Sequence, residues 1–462
     1  MRIDLGKSIC GVLLLLFANT AFVNTAAAQD SDIAALRTEL EELRAEYGAR
    51  IAELEQRLAV AEQNARQANN RVSQIAQNPA PAPAAPASRG AAFGPGDNTF
   101  NPAMGVIFEG QAWAYGNDPE DYAIPGFPLA GEAGLAPEGL SLGETEIDMS
   151  ANVDDKFTAW LTTPIHIEDG EAHIEIEEAW LETTALPAGI SARFGRFFSG
   201  IGYLNGRHAH AWDFADQPLP YQALLGNQYL DDGVQVRWIA PAEIFVELGA
   251  ELLRGGGYPA GGADDSGFGA KSLFVNVGGD AWTGHSWLAG LSWLHAGSNE
   301  RPSGSEANPL LFTGDSDVAI AEFVWKWAPN GNWKLRNFVF QSELVWRNEE
   351  GLYTLPGRPA LPYDSDQRGW YAQAVYQWRP QWRVGARIDG LSLDDPGLLF
   401  AGTPLEKPTD DPRRYTLMLD WSNSEFSRLR LQYTRDEAGL TDDNQWGLQY
   451  IMSIGAHGAH SF

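Results

Sequence analysis

From Thr99 onward the sequence breaks into segments of about ten residues in which apolar and polar side chains alternate, with turn-forming residues between them. Outside the leader described below, no stretch approaches the ~20 apolar residues that a membrane-crossing helix requires. Sixteen segments can be counted, centred near Phe108, Asp148, Leu161, Ile176, Phe194, Val236, Leu248, Val275, Leu291, Phe323, Phe340, Ala374, Ala386, Leu417, Leu431 and Tyr450. Their connections alternate in character. Odd-numbered segments end in long loops (116–139, 199–231, 256–270, 298–315, 348–367 and 393–412), and even-numbered ones in tight turns such as Val153-Asp154-Asp155 and Arg379-Pro380-Gln381. This pattern predicts an all-β transmembrane barrel of about 16 antiparallel strands, its long loops on one side of the membrane and its short turns on the other.

The last segment shows the facing most clearly. Trp446, Leu448, Tyr450, Met452 and Ile454 fall on one face together with the terminal Phe462, and Gln449 and Ser453 on the other. The first set is expected to meet lipid and the second the lumen. Trp and Tyr gather near segment ends, as at Trp325, Trp327, Trp378, Trp382 and Trp421, where aromatic girdles would lie at the membrane interfaces.

Three regions precede the barrel, which is assigned to residues 99–462. Residues 1–28 read as a secretory signal peptide, with Arg2 and Lys7 ahead of an apolar run and Ala26-Ala27-Ala28 before Gln29. Residues 31–77 carry an α-helical coiled-coil pattern through Ile33, Leu36, Leu40, Leu43, Tyr47, Ile51, Leu54 and Leu58, continuing to Ile75. Residues 78–98 form a Pro/Ala/Gly-rich linker. The only cysteine, Cys10, lies in the leader, which excludes disulfides and thiol chemistry in the mature chain. Residues 99–462 carry 23 Lys/Arg against 50 Asp/Glu, a net of −27 that repels nucleic acid and attracts cations.

Within the barrel, Arg193-Phe194-Gly195-Arg196-Phe197 leads into the longest loop, which holds Trp212, Asp213, Phe214 and Asp216, and Asp232-Gly233-Val234-Gln235-Val236 opens the next segment. This arrangement resembles outer-membrane porins of the phosphate-selective O/P type and, more loosely, the general trimeric porins. The resemblance implies a homotrimer in the lipid of the Gram-negative outer membrane. The asymmetry of long loops and short turns places both termini, and with them the coiled coil, in the periplasm, and Asp-rich loops such as Asp264-Asp265 and Asp442-Asp443 are candidates to bridge lipopolysaccharide through Ca²⁺. The resemblance also implies that loop 199–231 folds inward to narrow the pore. Phosphate selectivity in that family rests on lumenal Arg and Lys, whereas this barrel is acidic. Similar chains are sometimes labelled TonB-dependent receptors, yet about a hundred residues of plug and six more strands would be needed.

The wall chemistry follows from strand parity. The second segment places Glu144, Glu146 and Asp148 toward the lumen. The next hairpin turns at Asp169-Gly170, which sets paired residue numbers to sum to 339 and so puts His166 opposite His173, Glu168 opposite Glu171 and Thr162 opposite Glu177. Glu175 and Glu177 share that lumenal face. Directly opposed Cβ atoms lie ~5 Å apart, close enough for two imidazoles to share an ion, and imidazole with carboxylate suits Zn²⁺ or another first-row divalent cation. His208 and His210 on the long loop form a second candidate pair, and an inward loop would bring all four histidines together. Arg383, Arg387, Arg428 and Arg430 face the lumen on the thirteenth and fifteenth segments, an arc expected to oppose the acidic one. No Ser/His/acid set has spacing suited to catalysis, so an enzyme is not expected. The expected function is a cation-leaning porin for small hydrophilic solutes or metal ions. A metal receptor with a narrow or closed pore, or a tether between outer membrane and cell wall, are the alternatives.

Overall fold

The computed structural model describes residues 102–455 except Glu132, Asp169, Gly170, 263–266 and Glu306, and only the backbone at 167, 168 and 171. The expected leader, coiled coil and linker, the Asp169-Gly170 turn, the Glu168 and Glu171 side chains, Asp264-Asp265 and Phe462 lie outside the described residues.

The described chain is one antiparallel sheet closed on itself. In chain order its strands are β1 (Ala103–Ala114), β2 (Gly139–Leu142 and Thr145–Asn152), β3 (Phe157–Glu168), β4 (Glu171–Ile174 and Glu178–Thr183), β5 (Ile190–Phe198), β6 (Leu230–Ile239), β7 (Phe245–Leu253) and β8 (Ala270–Trp282). They continue as β9 (His285–Ser303), β10 (Leu310–Trp327), β11 (Asn337–Thr354), β12 (Leu361–Arg379), β13 (Trp382–Leu393), β14 (Arg413–Ser424), β15 (Ser427–Asp436) and β16 (Asp443–Gly455). Both pieces of β2 pair with β1 and both pieces of β4 pair with β3, so each pair of pieces is a single interrupted strand. The ring has sixteen strands. It closes where β1 pairs with β16 from Gly105↔Gly455 to Ala114↔Trp446, which leaves no edge to satisfy in lipid.

Each expected segment has its own strand. Side chains sort by parity: Phe108, Leu273, Leu291, Leu344, Leu417, Leu431, Leu448 and Ile454 stand exposed on the outer face, while Glu109, Glu251, Gln341, Gln373, Thr416, Gln432 and Gln449 are buried toward the axis. An outer belt of exposed Leu, Ile and Phe around a polar interior is stable only against hydrocarbon. The last strand follows the expected facing, with Trp446, Leu448, Tyr450, Met452 and Ile454 outward and Gln449 inward. Among the described residues no helix is long and apolar enough to cross a membrane.

Two expected loops are strand instead. Residues assigned to loops 298–315 and 348–367 mostly extend β9, β10, β11 and β12, which run 18 or 19 residues each. At ~3.3 Å per residue such strands reach ~60 Å, about twice the hydrocarbon thickness. What holds the extensions is a second apolar core of Leu310, Phe312, Tyr353, Leu355, Tyr363, Phe400 and Leu405. Arg301 anchors beside it, 2.8 Å from Glu349 and stacked over Tyr258 and Phe312.

Candidate functional site

The loop that follows β5 leaves the wall and fills the middle of the barrel. At its start Ser199 Oγ and Gly200 N donate to Glu251 of β7, and Gly202 N donates to Ser292 of β9 at 3.2 Å. Tyr203 N, Leu204 N and the Tyr221 hydroxyl all donate to Glu343 of β11, at 3.1, 3.1 and 2.8 Å. A short helix, α1 (Leu219–Leu225), is buried at every residue, and Arg347 of β11 caps it by donating to the Leu224 carbonyl at 3.1 Å. Ile201, Leu204, Trp212, Leu219, Tyr221, Leu224 and Leu225 pack with wall residues such as Ile320, Val345, Tyr371 and Leu391 into one apolar cluster. The lumen at this level holds protein side chains.

Beyond Trp212 the loop meets the basic arc. Asp213 pairs with Arg383 at 2.8 Å. Asp216 accepts from Arg387 at 2.9 Å, Arg414 at 3.2 Å and Gln432 at 2.6 Å. Burial alone would raise the Asp216 carboxyl, but the two guanidiniums and the Gln432 amide hold it below its ordinary value. Arg430 pairs with Asp420 at 2.9 Å and donates to the Trp212 carbonyl, and Arg428 donates to the His210 carbonyl at 2.7 Å. The acidic and basic arcs are not opposed. Closure of the ring leaves only β16 and β1 between them, so a single loop segment, 208–216, spans both.

At the acidic arc His208 sits among three carboxylates. Its Nδ1 lies 3.0 Å from Glu177 Oε2 and 3.6 Å from Glu146 Oε2, and its Nε2 lies 3.1 Å from Glu178 Oε2. Burial would lower this imidazole, but the hydrogen bonds to Glu177 and Glu178 and the charges of Glu177 and Glu146 keep it well above its ordinary value. His210 Nδ1 is 2.7 Å from Glu146 Oε1, and the two histidine rings stack with centroids 5.7 Å apart. Asp148, on the same lumenal face of β2, accepts from Thr162 at 2.7 Å.

The presence of both Glu177 and Glu178 corrects the register expected from the hairpin. In the first piece of β4 the paired numbers sum to 339, as in Ile165↔Ile174 and His166↔His173, but from Thr162↔Glu178 onward they sum to 340. Thr162 therefore faces Glu178, while its carbonyl accepts from Glu177 N at 3.1 Å. One extra residue is accommodated as a β-bulge. In a regular strand consecutive side chains point to opposite faces, and the bulge lets two neighbouring glutamates approach the same imidazole. The Arg193–Phe197 motif supports this break. Arg196 Nε donates to the Ile176 carbonyl inside the bulge at 2.9 Å, and Arg193 lies 4.0 Å over the Trp180 ring and 2.8 Å from Glu182. Gly195 adopts φ +127° against the β4 backbone, where a Cβ would collide with the Ala179 carbonyl.

The remaining sequence candidates fall elsewhere. His166 and His173 are opposed as expected, but their rings stack with centroids 5.6 Å apart and planes 16° apart, so the in-plane lone pairs of the two rings do not meet at one point between them. Among the described residues the grouping with three metal-ligand atoms in reach of one another is Glu146, Glu177 and His208; neither His166 nor His173 joins it. Glu175 is exposed, and Glu144 lies in the break between the two pieces of β2. Glu178, Glu182, Arg237, Arg414 and Asp420 are not among the sequence candidates, and Arg193 is read there only as part of its motif and not as a partner of Glu182. The adjacent pair Glu177-Glu178, which interrupts strict alternation, is the one signal that marks the bulge.

No family model matches the chain. Among solved structures, the outer membrane channel DcaP of Acinetobacter baumannii is 12% identical with a TM-score of 0.47, covering 77% of this chain and 97% of that one. The anion-selective porin of Comamonas acidovorans is 9% identical with a TM-score of 0.47, covering 77% and 99%. The trimer form of OmpT of Vibrio cholerae is 11% identical with a TM-score of 0.46, covering 77% and 99%. A protein of Aquifex aeolicus (strain VF5), described as an uncharacterized protein, is 30% identical over 347 residues, 70% of each chain. The chain belongs to the same protein family as this Aquifex aeolicus protein.

Proposed function

We propose that the protein is an outer-membrane porin for small hydrophilic solutes, in which the loop after β5 sets the passage and an excess of lumenal carboxylate gives a lean toward cations. The observation that carries this reading is the loop's course through the lumen of a closed barrel, tied by ion pairs and hydrogen bonds to β2, β4, β7, β9, β11 and β13–β15. Arg383, Arg387, Arg414 and Arg430 each have a carboxylate partner, whereas Glu109, Glu251 and Glu343 are held by amides, hydroxyls and backbone N–H groups. Those four arginines are thus paired with acid, those three acids hydrogen-bond to neutral groups, and Arg428 donates to the His210 carbonyl, a balance that argues against a phosphate ladder and for a lean toward cations.

Planar-bilayer recording of the full chain tests this. Small single-channel steps with a cation-side reversal potential in a KCl gradient are expected. Clear anion selectivity refutes the cation lean. Absence of steps from protein shown to be folded by heat-modifiable migration refutes conduction. It would favour a second reading, a receptor with a closed lumen, for which the apolar cluster around α1 is the specific observation. A homotrimer, expected from the resemblance, belongs to the same proposal and is checked by crosslinking in detergent.

A further inference from the structure

We propose that Glu146, Glu177 and His208 form a binding site for one first-row divalent cation, seated between the inward loop and the β2–β4 wall. The site is independent of whether the lumen conducts, since it needs only the docked loop.

The geometry suits an ion. Metal bonds of ~2.0–2.1 Å in tetrahedral arrangement put ligand atoms ~3.3 Å apart. The two distances from His208 Nδ1, 3.0 Å to Glu177 Oε2 and 3.6 Å to Glu146 Oε2, bracket that value. All three ligand atoms lie within 4.8 Å of one another. Three protein ligands leave a coordination position for water or a passing solute, as in open zinc sites.

The surroundings supply what a ligand set requires beyond itself. A metal-bound histidine generally donates its other ring N–H to a carboxylate, which fixes the tautomer that offers a lone pair to the ion. Glu178 Oε2 holds Nε2 at 3.1 Å and would do this for His208, leaving Nδ1 for the metal. Glu146 is oriented in turn by His210 at its Oε1. The bulge in β4 is what makes the division of labour available, because it brings Glu177 to one nitrogen and Glu178 to the other.

An imidazolium held among three carboxylates is itself a stable arrangement, so one further observation separates a metal site from a plain latch. Glu146 is fully buried, and its Oε2, 3.6 Å from His208 Nδ1, has no hydrogen-bond partner among the described residues. A buried oxygen left so is costly, and a cation between it, Glu177 and Nδ1 would satisfy it. Binding exchanges the Nδ1–H bond for an Nδ1–metal bond and releases that proton to solvent.

Isothermal titration of the full chain, purified without a histidine tag, with Zn²⁺ tests the site. The expected result is a one-to-one complex weakened at least tenfold by His208→Ala and by Glu177→Gln. Glu178→Gln, a positioning change, should weaken it by ~10–100-fold, and His166→Ala/His173→Ala should leave it unchanged. Glu177→Gln keeps size and a hydrogen bond to His208, so it reads ligation even if His208→Ala disturbs the loop. The visible spectrum of a Co²⁺ complex should change in Glu177→Gln. Wild-type affinity in both His208→Ala and Glu177→Gln, or absence of Zn²⁺ binding by the wild type, overturns the proposal. Either outcome leaves the conductance result untouched.

Discussion

Asp216 is the point at which the loop is most heavily tied to the wall, and Asp216→Asn removes its charge while keeping its size. The carboxylate faces Arg387 and Arg414, whose side chains are 1% and 0% exposed. Removing one partner of a buried ion pair costs ~3–5 kcal/mol, because the other charge is left desolvated. Both guanidiniums keep a second acid here, Arg387 with Asp389 at 3.1 Å and Arg414 with Asp436 at 2.8 Å, which places the cost near the lower end. About 3 kcal/mol corresponds to a factor of about 150 in the ratio of docked to undocked loop. Limited trypsin cleavage after Arg207 reads that ratio, since cleavage follows the open population when opening and closing are fast. Single-channel recording should show longer or larger openings in parallel. Cleavage and open fraction both within about threefold of wild type would refute the inference that buried pairs at Asp216 hold the loop.

Three further outcomes follow from other parts of the structure. Because the folded Asp216 carboxyl lies below its unfolded value of about 3.9, its contribution is fully present above that pH and is lost only as pH falls through the lower folded value. Channel noise should therefore be steady between about pH 7 and pH 5 and rise only below about pH 4; a rise centred near pH 6 would assign loop release to another group. Gly249→Val should cost about 1–3 kcal/mol, because its side chain would enter the ring of Phe274, and should lower the temperature of heat-modifiable unfolding. Leu291→Arg, on the lipid face at 62% exposure, should destabilise the inserted barrel by about 2–4 kcal/mol in urea unfolding from vesicles, with a null effect arguing that this face meets water.

The barrel was legible because lipid on one side and polar groups on the other impose parity on every strand, and parity is written residue by residue, as in Trp446 to Ile454. Long-range placement was not. That β13–β15 stand beside β2–β4 follows from ring closure at Gly105↔Gly455, a contact between residues far apart in sequence. The extensions of β9–β12 read as loops because their apolar residues, Phe312, Tyr353 and Tyr363, bury toward the interior above the membrane, where the outward apolar signal is missing. The surroundings of His208 were half legible: the His208-Ala209-His210 spacing was visible. Of the two histidines' partners, Glu146 and Glu177 were placed on the lumenal face, whereas Glu178 was not, because the register extrapolated from the turn omits the residue inserted before it.

That inserted residue makes the carboxylate clamp separable from the scaffold. The two pieces of β4 differ by one in register, so loss of a single codon between Ile174 and Glu178 would restore an unbroken ladder with β3 and leave the ring closed. One of the two glutamates at the imidazole would then turn toward lipid or vanish, and the wall would become an ordinary acidic surface. A barrel can thus acquire or discard such a clamp in one step, without being rebuilt around it. The same step offers an engineer a way to install ligands in a pore wall at a chosen height.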